Sequence, residues 1–258
     1  MDSSLEPKKS GLFVARNAKP GDTRETIKTL VIALIFAAVF RSFLFEPFHI
    51  PSDSMKSNFL VGDYLFVSKY SYGYSRYSFP FGGHTQIHGR FFVSPPQRGD
   101  VVVFRPPGKP SEDFIKRLIG LPGDHIQMKG GVLYINDKPA LKEYVDEWTD
   151  PTPDGRDAPP VTYKRYRETL PEGKTYTILN NKHPGPVEDT EVFIVPDGHY
   201  FMMGDNRDDS RDSRYLGQGD AIVGFVPEEN FVGRADLILF SWEGFFSLRS
   251  DRFLLKIL

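Results

Sequence analysis

The sequence predicts a mostly β protein: a β-rich domain carrying an inserted β subdomain and preceded by one N-terminal transmembrane helix. Three observations carry that expectation. A single uninterrupted apolar run, LVIALIFAAVF at residues 30–40, lies near the amino end. Short apolar or alternating runs follow it, as pleated strands require. Between them, 23 glycines and 21 prolines supply turn chemistry, while the 22 phenylalanines and 12 tyrosines fall mostly within the short runs, where aromatic side chains suit a half-buried sheet.

Length and charge narrow the classes. At 258 residues and 40% hydrophobic content, the chain can bury one soluble core and still spare a membrane segment. A formal net charge of -2 gives no general attraction to nucleic acid, so none is expected as a partner. The absence of cysteine excludes thiol nucleophiles, thiolate metal sites and disulfides together.

In chain order, residues 1–26 are polar, broken by Gly11, Pro20 and Gly21 and dotted with Lys8, Lys9, Arg16, Lys19 and Arg24; they read as a cytoplasmic tail. Residues 27–46 approach the roughly 20 needed to cross a bilayer, with Arg41 at the interface. The upstream basic residues put the amino terminus in the cytoplasm and residues 47–258 outside. A cleaved signal peptide would need a small-x-small site after the run, and none follows; a buried helix of a soluble core is the competing reading, and the anchor is preferred.

Beyond Glu46 the pattern becomes strand and turn. Residues 48–52 read as extended, Gly62-Asp63 as a turn and 64–67 as a strand. Residues 70–92, crowded with Tyr72, Tyr74, Tyr77, Phe79, Phe81, Phe91 and Phe92, read either as a hairpin packed on its own core or as an interfacial aromatic surface. Arg98-Gly99-Asp100 is a turn into a buried strand at 101–104. Residues 113–120 form another strand, closed by the turn at 121–124; it embeds Lys116 among Phe114, Ile115, Leu118 and Ile119 and sends Arg117 to the opposite face. A further strand is expected at 131–136. The proline-rich stretch at about 144–189 reads as an inserted β subdomain, with weaker strands at 161–166 and 175–179. Strands at 192–195 and 199–203 lead into a dense polar loop at 204–214. The apolar tail from Leu237 through Trp242, Phe245 and Phe246 is no second span, because Glu243, Arg249, Asp251 and Arg252 interrupt it.

Three kinds of chemistry compete. Asp205, Asn206, Asp208, Asp209 and Asp212 of the 204–214 loop could be hard oxygen ligands, but the calcium-loop spacing is missing and Arg207, Arg211 and Arg214 can absorb the acidic charges as local ion pairs, so no metal is expected. Six histidines (His49, His84, His88, His125, His183 and His199) sit in no distinctive motif, no G-x-S-x-G or H-E-x-x-H occurs, and in an extended segment His49 and Ser54 face opposite ways. A serine–lysine pair remains. In Pro51-Ser52-Asp53-Ser54-Met55, serines two apart share one face of an extended backbone. A lysine acts as base only when neutral, and at its ordinary pKa only about four in ten thousand are neutral at pH 7. Lowering that pKa by about two units takes roughly 2.7 kcal/mol, which burial among apolar side chains supplies. Lys116 is the lysine best placed for it. The bland alternatives are a solvated serine turn and a strand-edge lysine.

These segments together, an apolar anchor, then P-S-D-S-M, R-G-D-V-V-V-F, K-R-L-I-G-L-P-G-D and G-D-N-R-D-D-S-R-D-S-R, strongly resemble bacterial type I signal peptidase, in order and spacing, over about residues 30–240. The resemblance implies a membrane-bound Ser-Lys endopeptidase that removes signal peptides from exported preproteins through an acyl-enzyme. It makes Ser54 the nucleophile and Lys116 the general base, with the Ser52 hydroxyl and the Ser54 N–H as oxyanion hole. Ser210 would hydrogen-bond and orient the lysine, while Asp212 and Arg214 hold the loop as an ion pair. Phe48, Ile50, Met55, Phe59 and Ile115 would line shallow pockets for small residues at the first and third positions before the cut, and the substrate would bind as an added strand. The aromatic region and Trp242 would seat the domain on the outer surface of the inner membrane. No cofactor is implied; the partners are preproteins and the lipid bilayer, and the chain is expected to be monomeric.

Two departures from the family pattern stand out. Lys56-Ser57-Asn58-Phe59 replaces the usual x-Pro-Thr-Leu, and a longer connection through Gln218, Gly219 and Asp220 precedes Gly224-Phe225-Val226-Pro227. The rival from another class is a membrane-anchored β scaffold or binding protein of the same fold without activity, which would have little reason to keep Ser52, Ser54, Lys116, Ser210, Asp212 and Arg214 together. A Ser-His hydrolase would require an essential histidine.

Overall fold

The computed structural model describes residues 23–79, 88–150, 160–181, 185–216, 222–243 and 247–257. Most of the expected tail, His84, His183, Phe81, Phe245, Phe246 and the connection through Gln218 to Asp220 lie outside them. The chain divides into residues 1–38 and 39–258. A 21-residue helix, α1 (Thr23–Phe43), is long and apolar enough to cross a membrane, and its side chains other than Ser42, Leu34 and Phe36 among them, are exposed. It starts and stops earlier than the sequence pattern predicts. The apolar Phe45 belongs instead to the first strand, and Arg41 donates to Glu46 beyond the helix end (Nε to Oε1, 2.8 Å).

The strands, in chain order, are β1 (Phe45–His49), β2 (Asp63–Ser68), β3 (Val101–Phe104), β4 (Phe114–Gly120), β5 (His125–Lys129), β6 (Val132–Ile135), β7 (Lys138–Pro139), β8 (Leu141–Thr149), β9 (Thr162–Thr169), β10 (Thr175–Asn180), β11 (Phe193–Ile194), β12 (His199–Met203), β13 (Val226–Pro227), β14 (Phe231–Glu243), β15 (Ser247–Leu248) and β16 (Leu255–Lys256). The protein is mostly β, as expected. The main sheet runs β1-β2-β14-β3-β4-β12-β13, with β15 and β16 also paired to β14. Smaller sheets run β11-β5-β6-β7 and β10-β9-β8. All the strand pairs are antiparallel, including β3 on β4, where Val102 faces Lys116.

The buried runs match their residues. Val101, Val102, Val103 and Phe104 are almost fully buried, split between two clusters on the two faces of the sheet. Val101 and Val103 join Leu65, Val67 and Met55, whereas Val102 and Phe104 join Leu118, Met202 and Phe231. A third cluster, around Ile126, Leu133, Ile178 and Phe201, packs the small sheets. The segment at 144–189 contains most of the β10-β9-β8 sheet, which begins three residues earlier, at Leu141.

The aromatic stretch forms no regular hairpin among its described residues: one bridge, Tyr74 to Phe91, is all that pairs it. Gly73, at φ +84, lets the chain pass this crossing, since a Cβ there would sit 2.3 Å from the Phe91 carbonyl oxygen. Tyr72 and Tyr77 turn inward while Phe91 and Phe92 remain exposed. The Arg98-Gly99-Asp100 turn is internal scaffolding, with Arg98 paired to Asp124 (2.6 Å) and the Gly99 N–H donated to the Leu118 carbonyl (2.7 Å).

Candidate active site

Ser54 sits in a single 3-10 turn, Asp53–Met55, just beyond β1. The backbone is extended at Ser52 (φ -128, ψ 158) but not through Ser54, so the two serines do not share a face by strand alternation. They still converge, with their hydroxyl oxygens 3.4 Å apart. Across from them β4 brings in Lys116, whose Nζ is hydrogen-bonded to Ser54 Oγ at 2.6 Å and donates to the Ile115 carbonyl at 3.0 Å. Lys116 is 3% exposed and Ser54 8%.

Burial pulls the Lys116 amine down from 10.5 to about 8, against the opposing pull of Asp212 and Asp205, and Arg214 adds to the lowering. Those two carboxylates are committed elsewhere. Asp205 takes a two-pronged pair from Arg117 (2.8 and 2.7 Å), and Asp212 takes one from Arg214 (2.9 Å on each prong). Burial works to raise the Asp212 carboxyl, but Arg214 holds it below the ordinary value. A lysine flanked by neutralised acids loses its proton far more readily than one facing a free carboxylate.

The 204–214 loop packs directly under the serine turn. A Cβ on Gly204 would lie 2.6 Å from the Ser54 carbonyl oxygen and 2.1 Å from Ser210 Oγ, so only glycine fits. Asn206 donates its N–H to the Ser54 carbonyl (3.1 Å) and its side-chain amide to the Asp53 carbonyl (3.1 Å). The sequence pattern marked Asn206 only as a candidate oxygen ligand of a metal, not as a support of the serine turn.

Several expectations change here. Ser210 is buried, and the expected hydrogen bond to Lys116 is not made; its hydroxyl faces Asp212 instead, whose carboxyl it helps to hold below the ordinary value. The loop acids are not absorbed by neighbouring arginines alone. Asp212 and Arg214 do pair locally, but Arg207 reaches Glu168 in β9, and Asp205 is held by Arg117 of β4.

A cleft of about 330 Å³ opens beside the pair, lined in part by Phe48, Ile50, Ser52, Ser54, Ile115 and Lys116. Met55 and Phe59 do not reach it. Both are essentially fully buried in the cluster with Leu65 and Val67, and Met55 Sδ accepts the Asp205 N–H at 3.4 Å. His49 also lines the cleft, but its ring packs on Tyr64, and the group bonded to Ser54 is the lysine.

The unusual residues after Met55 are fully engaged. Ser57 adopts φ 77 and hydrogen-bonds Thr177 (2.9 Å), while Asn58 donates to the Thr177 carbonyl and to Asp205 (2.7 Å each).

A mostly β chain with a serine hydroxyl set against a buried amine has the parts of a serine hydrolase. The comparisons with known proteins define the class further. The family model for signal peptidase, peptidase S26, matches residues 23–242. Signal peptidase I of Rickettsia typhi is 43% identical over 234 residues, covering 85% of this chain and 82% of the relative; that of Rickettsia akari is 42% identical over the same shares. A crystal structure of a signal peptidase I from Enterococcus faecalis aligns at 26% identity over 55% of this chain and 97% of its own, with a TM-score of 0.30. The chain belongs to the signal peptidase family, peptidase S26, and is a serine endopeptidase.

Proposed function

We propose that the protein cleaves N-terminal signal peptides from exported preproteins with Ser54 as nucleophile and Lys116 as general base. The observation that carries this reading is the 2.6 Å contact between a buried amine, whose pKa burial lowers to about 8, and a serine hydroxyl at the floor of an apolar cleft. In its neutral form the amine accepts the Ser54 proton as Oγ attacks the scissile carbonyl, returns it to the leaving amine and then activates the water that releases the acyl-enzyme. The Ser52 hydroxyl and the Ser54 N–H stabilise the oxyanion. Asp212, Arg214 and Ser210 support the loop beneath. Phe48, Ile50 and Ile115 offer small apolar surface, which suits small residues at the first and third positions before the cut. The reaction needs no metal or cofactor.

The domain arrangement follows from the same reading: a cytoplasmic tail, one span of the inner membrane and a monomeric catalytic domain outside. Exposed Phe91, Phe92 and Trp242 supply apolar surface for the bilayer. The test uses purified full-length enzyme and a preprotein whose signal ends in Ala-x-Ala. Ser54→Ala and Lys116→Ala are each expected to abolish cleavage, and retained cleavage in either would refute the dyad. Because the base must be neutral, kcat rises with pH up to a limb near 8; a limb near 10 would mark an ordinary solvated lysine.

A further inference from the structure

Ser54 rides on a turn too short to fix it. A three-residue 3-10 turn contributes little restraint of its own: the Lys56 N–H donates to the Asp53 carbonyl (3.0 Å) and the Phe59 N–H to Met55 (3.0 Å). Proton transfer to a fixed amine needs the hydroxyl held within a fraction of an ångström. Something outside the turn must supply that restraint.

Asn206 supplies part of it from the loop beneath, through the Ser54 and Asp53 carbonyls, and the inserted sheet supplies the rest. Lys56 is 1% exposed. Its Nζ pairs with Asp53, the residue immediately before Ser54, at 2.7 Å, and with Asp150, whose side chain is also 1% exposed. Asp150 directly follows β8 and is tied to the facing strand end by its N–H to the Val161 carbonyl (2.9 Å). One ammonium thus closes the turn from both ends around Ser54 and fastens it to the insert. Burial works against this charge, but hydrogen bonds to Asp150 and Asp53 outweigh it and raise the Lys56 pKa, so the fastening stays ionic.

A second set of ties reaches the same turn through β10. Thr177 engages Ser57 and Asn58, the Leu179 N–H donates to the Asp205 carbonyl and the Arg207 N–H to the Leu179 carbonyl (2.9 Å each). Buried Glu168 in β9 takes Arg207 in a two-pronged pair and a hydrogen bond from Tyr176 (2.6 Å). The insert therefore holds both the serine turn and the loop that underlies it.

We propose that the inserted β8–β10 sheet is a brace for acyl transfer, and that Lys56 and Asp150 are positioning residues that keep Ser54 Oγ on the Lys116 amine. The proposal rests on the Ser54–Lys116 reading and gives the insert a role in that chemistry. Neither residue lines the cleft, so substrate binding should be untouched by their loss.

The experiment compares wild type, Lys56→Met and the double variant Lys56→Met/Asp150→Leu, all full length, for kcat, KM, the pH–rate profile and Tm. Lys56→Met alone strands the buried Asp150 carboxylate and loses stability, whereas an apolar pair of similar volume removes that buried charge and recovers most of the loss, leaving only the partly exposed Asp53 without its cation. The brace predicts that the folded double variant keeps a kcat about ten- to a hundredfold below wild type, with KM within about twofold and the acid limb still near 8. A double variant that regains both wild-type Tm and wild-type kcat overturns it, as does a loss confined to KM. Ser54→Ala is run alongside: cleavage surviving there refutes the dyad itself, whereas an unimpaired double variant with inactive Ser54→Ala refutes only the brace.

Discussion

Lys56 and Lys116 lie two and sixty-two residues from Ser54, and both are almost completely shut off from water, yet they titrate in opposite directions. Lys56 meets two carboxylates and is raised above 10.5. Lys116 meets a hydroxyl and a carbonyl and falls to about 8. Lys69, equally buried but paired with the single carboxylate of Glu46 at 2.7 Å, is also lowered. Burial alone therefore does not make a lysine a base. What matters is how much negative charge the fold lets it touch. Around Lys116 the fold does not remove carboxylates; it gives each one an arginine, Arg117 for Asp205 and Arg214 for Asp212.

The most damaging way to break this contrast is to free one of those acids. Arg214→Met leaves Asp212 buried and uncompensated, which should cost about 3–5 kcal/mol of stability. In the folded fraction the acid limb of kcat should move to higher pH, because Arg214 lowers the Lys116 pKa and a bare Asp212 raises it. Urea unfolding and a pH–rate profile measure the two effects; an unmoved limb would show that Arg214 has no electrical role.

Lys116→Met tests the opposite side. A fall from 10.5 to about 8 corresponds to roughly 3 kcal/mol by which the folded state disfavours the charged amine. The sign follows from proton counting: between pH 8 and 10.5 the unfolded chain binds the proton that the folded chain has lost, so wild-type stability rises with pH across that window. Below pH 8 the full cost is present. Lys116→Met should therefore be inactive but more stable by up to about 3 kcal/mol at pH 7, with the gain shrinking toward pH 10.5. Equal stabilities at pH 7 would show that the burial of the amine costs nothing.

The smallest effect is expected where a pair faces water. Arg165 and Asp146, which lie opposite one another on β9 and β8 with side chains 29% and 44% exposed, should contribute less than about 1 kcal/mol, and Asp146→Ala should shift the urea midpoint only slightly. A loss as large as that of Arg214→Met would erase the distinction between paired charges inside and outside.

Much of the architecture was legible from the chain because strands leave local traces. Continuous apolar residues marked β3, and alternation marked β9 and β10 despite their polar surroundings. β5, with the sequence His125-Ile126-Gln127-Met128-Lys129, escaped because two apolar residues in five make a weak pattern; only Ile126 and Met128 face inward. β14 escaped at its start, where Gly233, Arg234 and Asp236 dilute the run and its pairing shifts register. The serine and lysine stood out because a linked set of motifs framed them. Asp212 and Arg214 came with that set, but the longer-range partners did not, since Lys56 and Asp150 are 94 residues apart and Arg117 and Asp205 are 88, and nothing short-range in a sequence announces such pairs. Met55 and Phe59 show the converse limit: apolar residues beside a reactive serine look the same on paper whether they face a substrate or the core.

The order of the main sheet has a consequence for synthesis. β1 and β2 bracket the Ser54 turn, β4 carries Lys116, and between these halves the sheet runs through β14, one of the last strands of the chain. Ser54 and Lys116 both leave the ribosome more than a hundred residues before β14 is complete, as the numbering alone requires. Until that strand docks, the two halves have no common sheet to hold them at bonding distance. A chain cut short before β14 would thus lack the one strand that joins the Ser54 half of the main sheet to the Lys116 half.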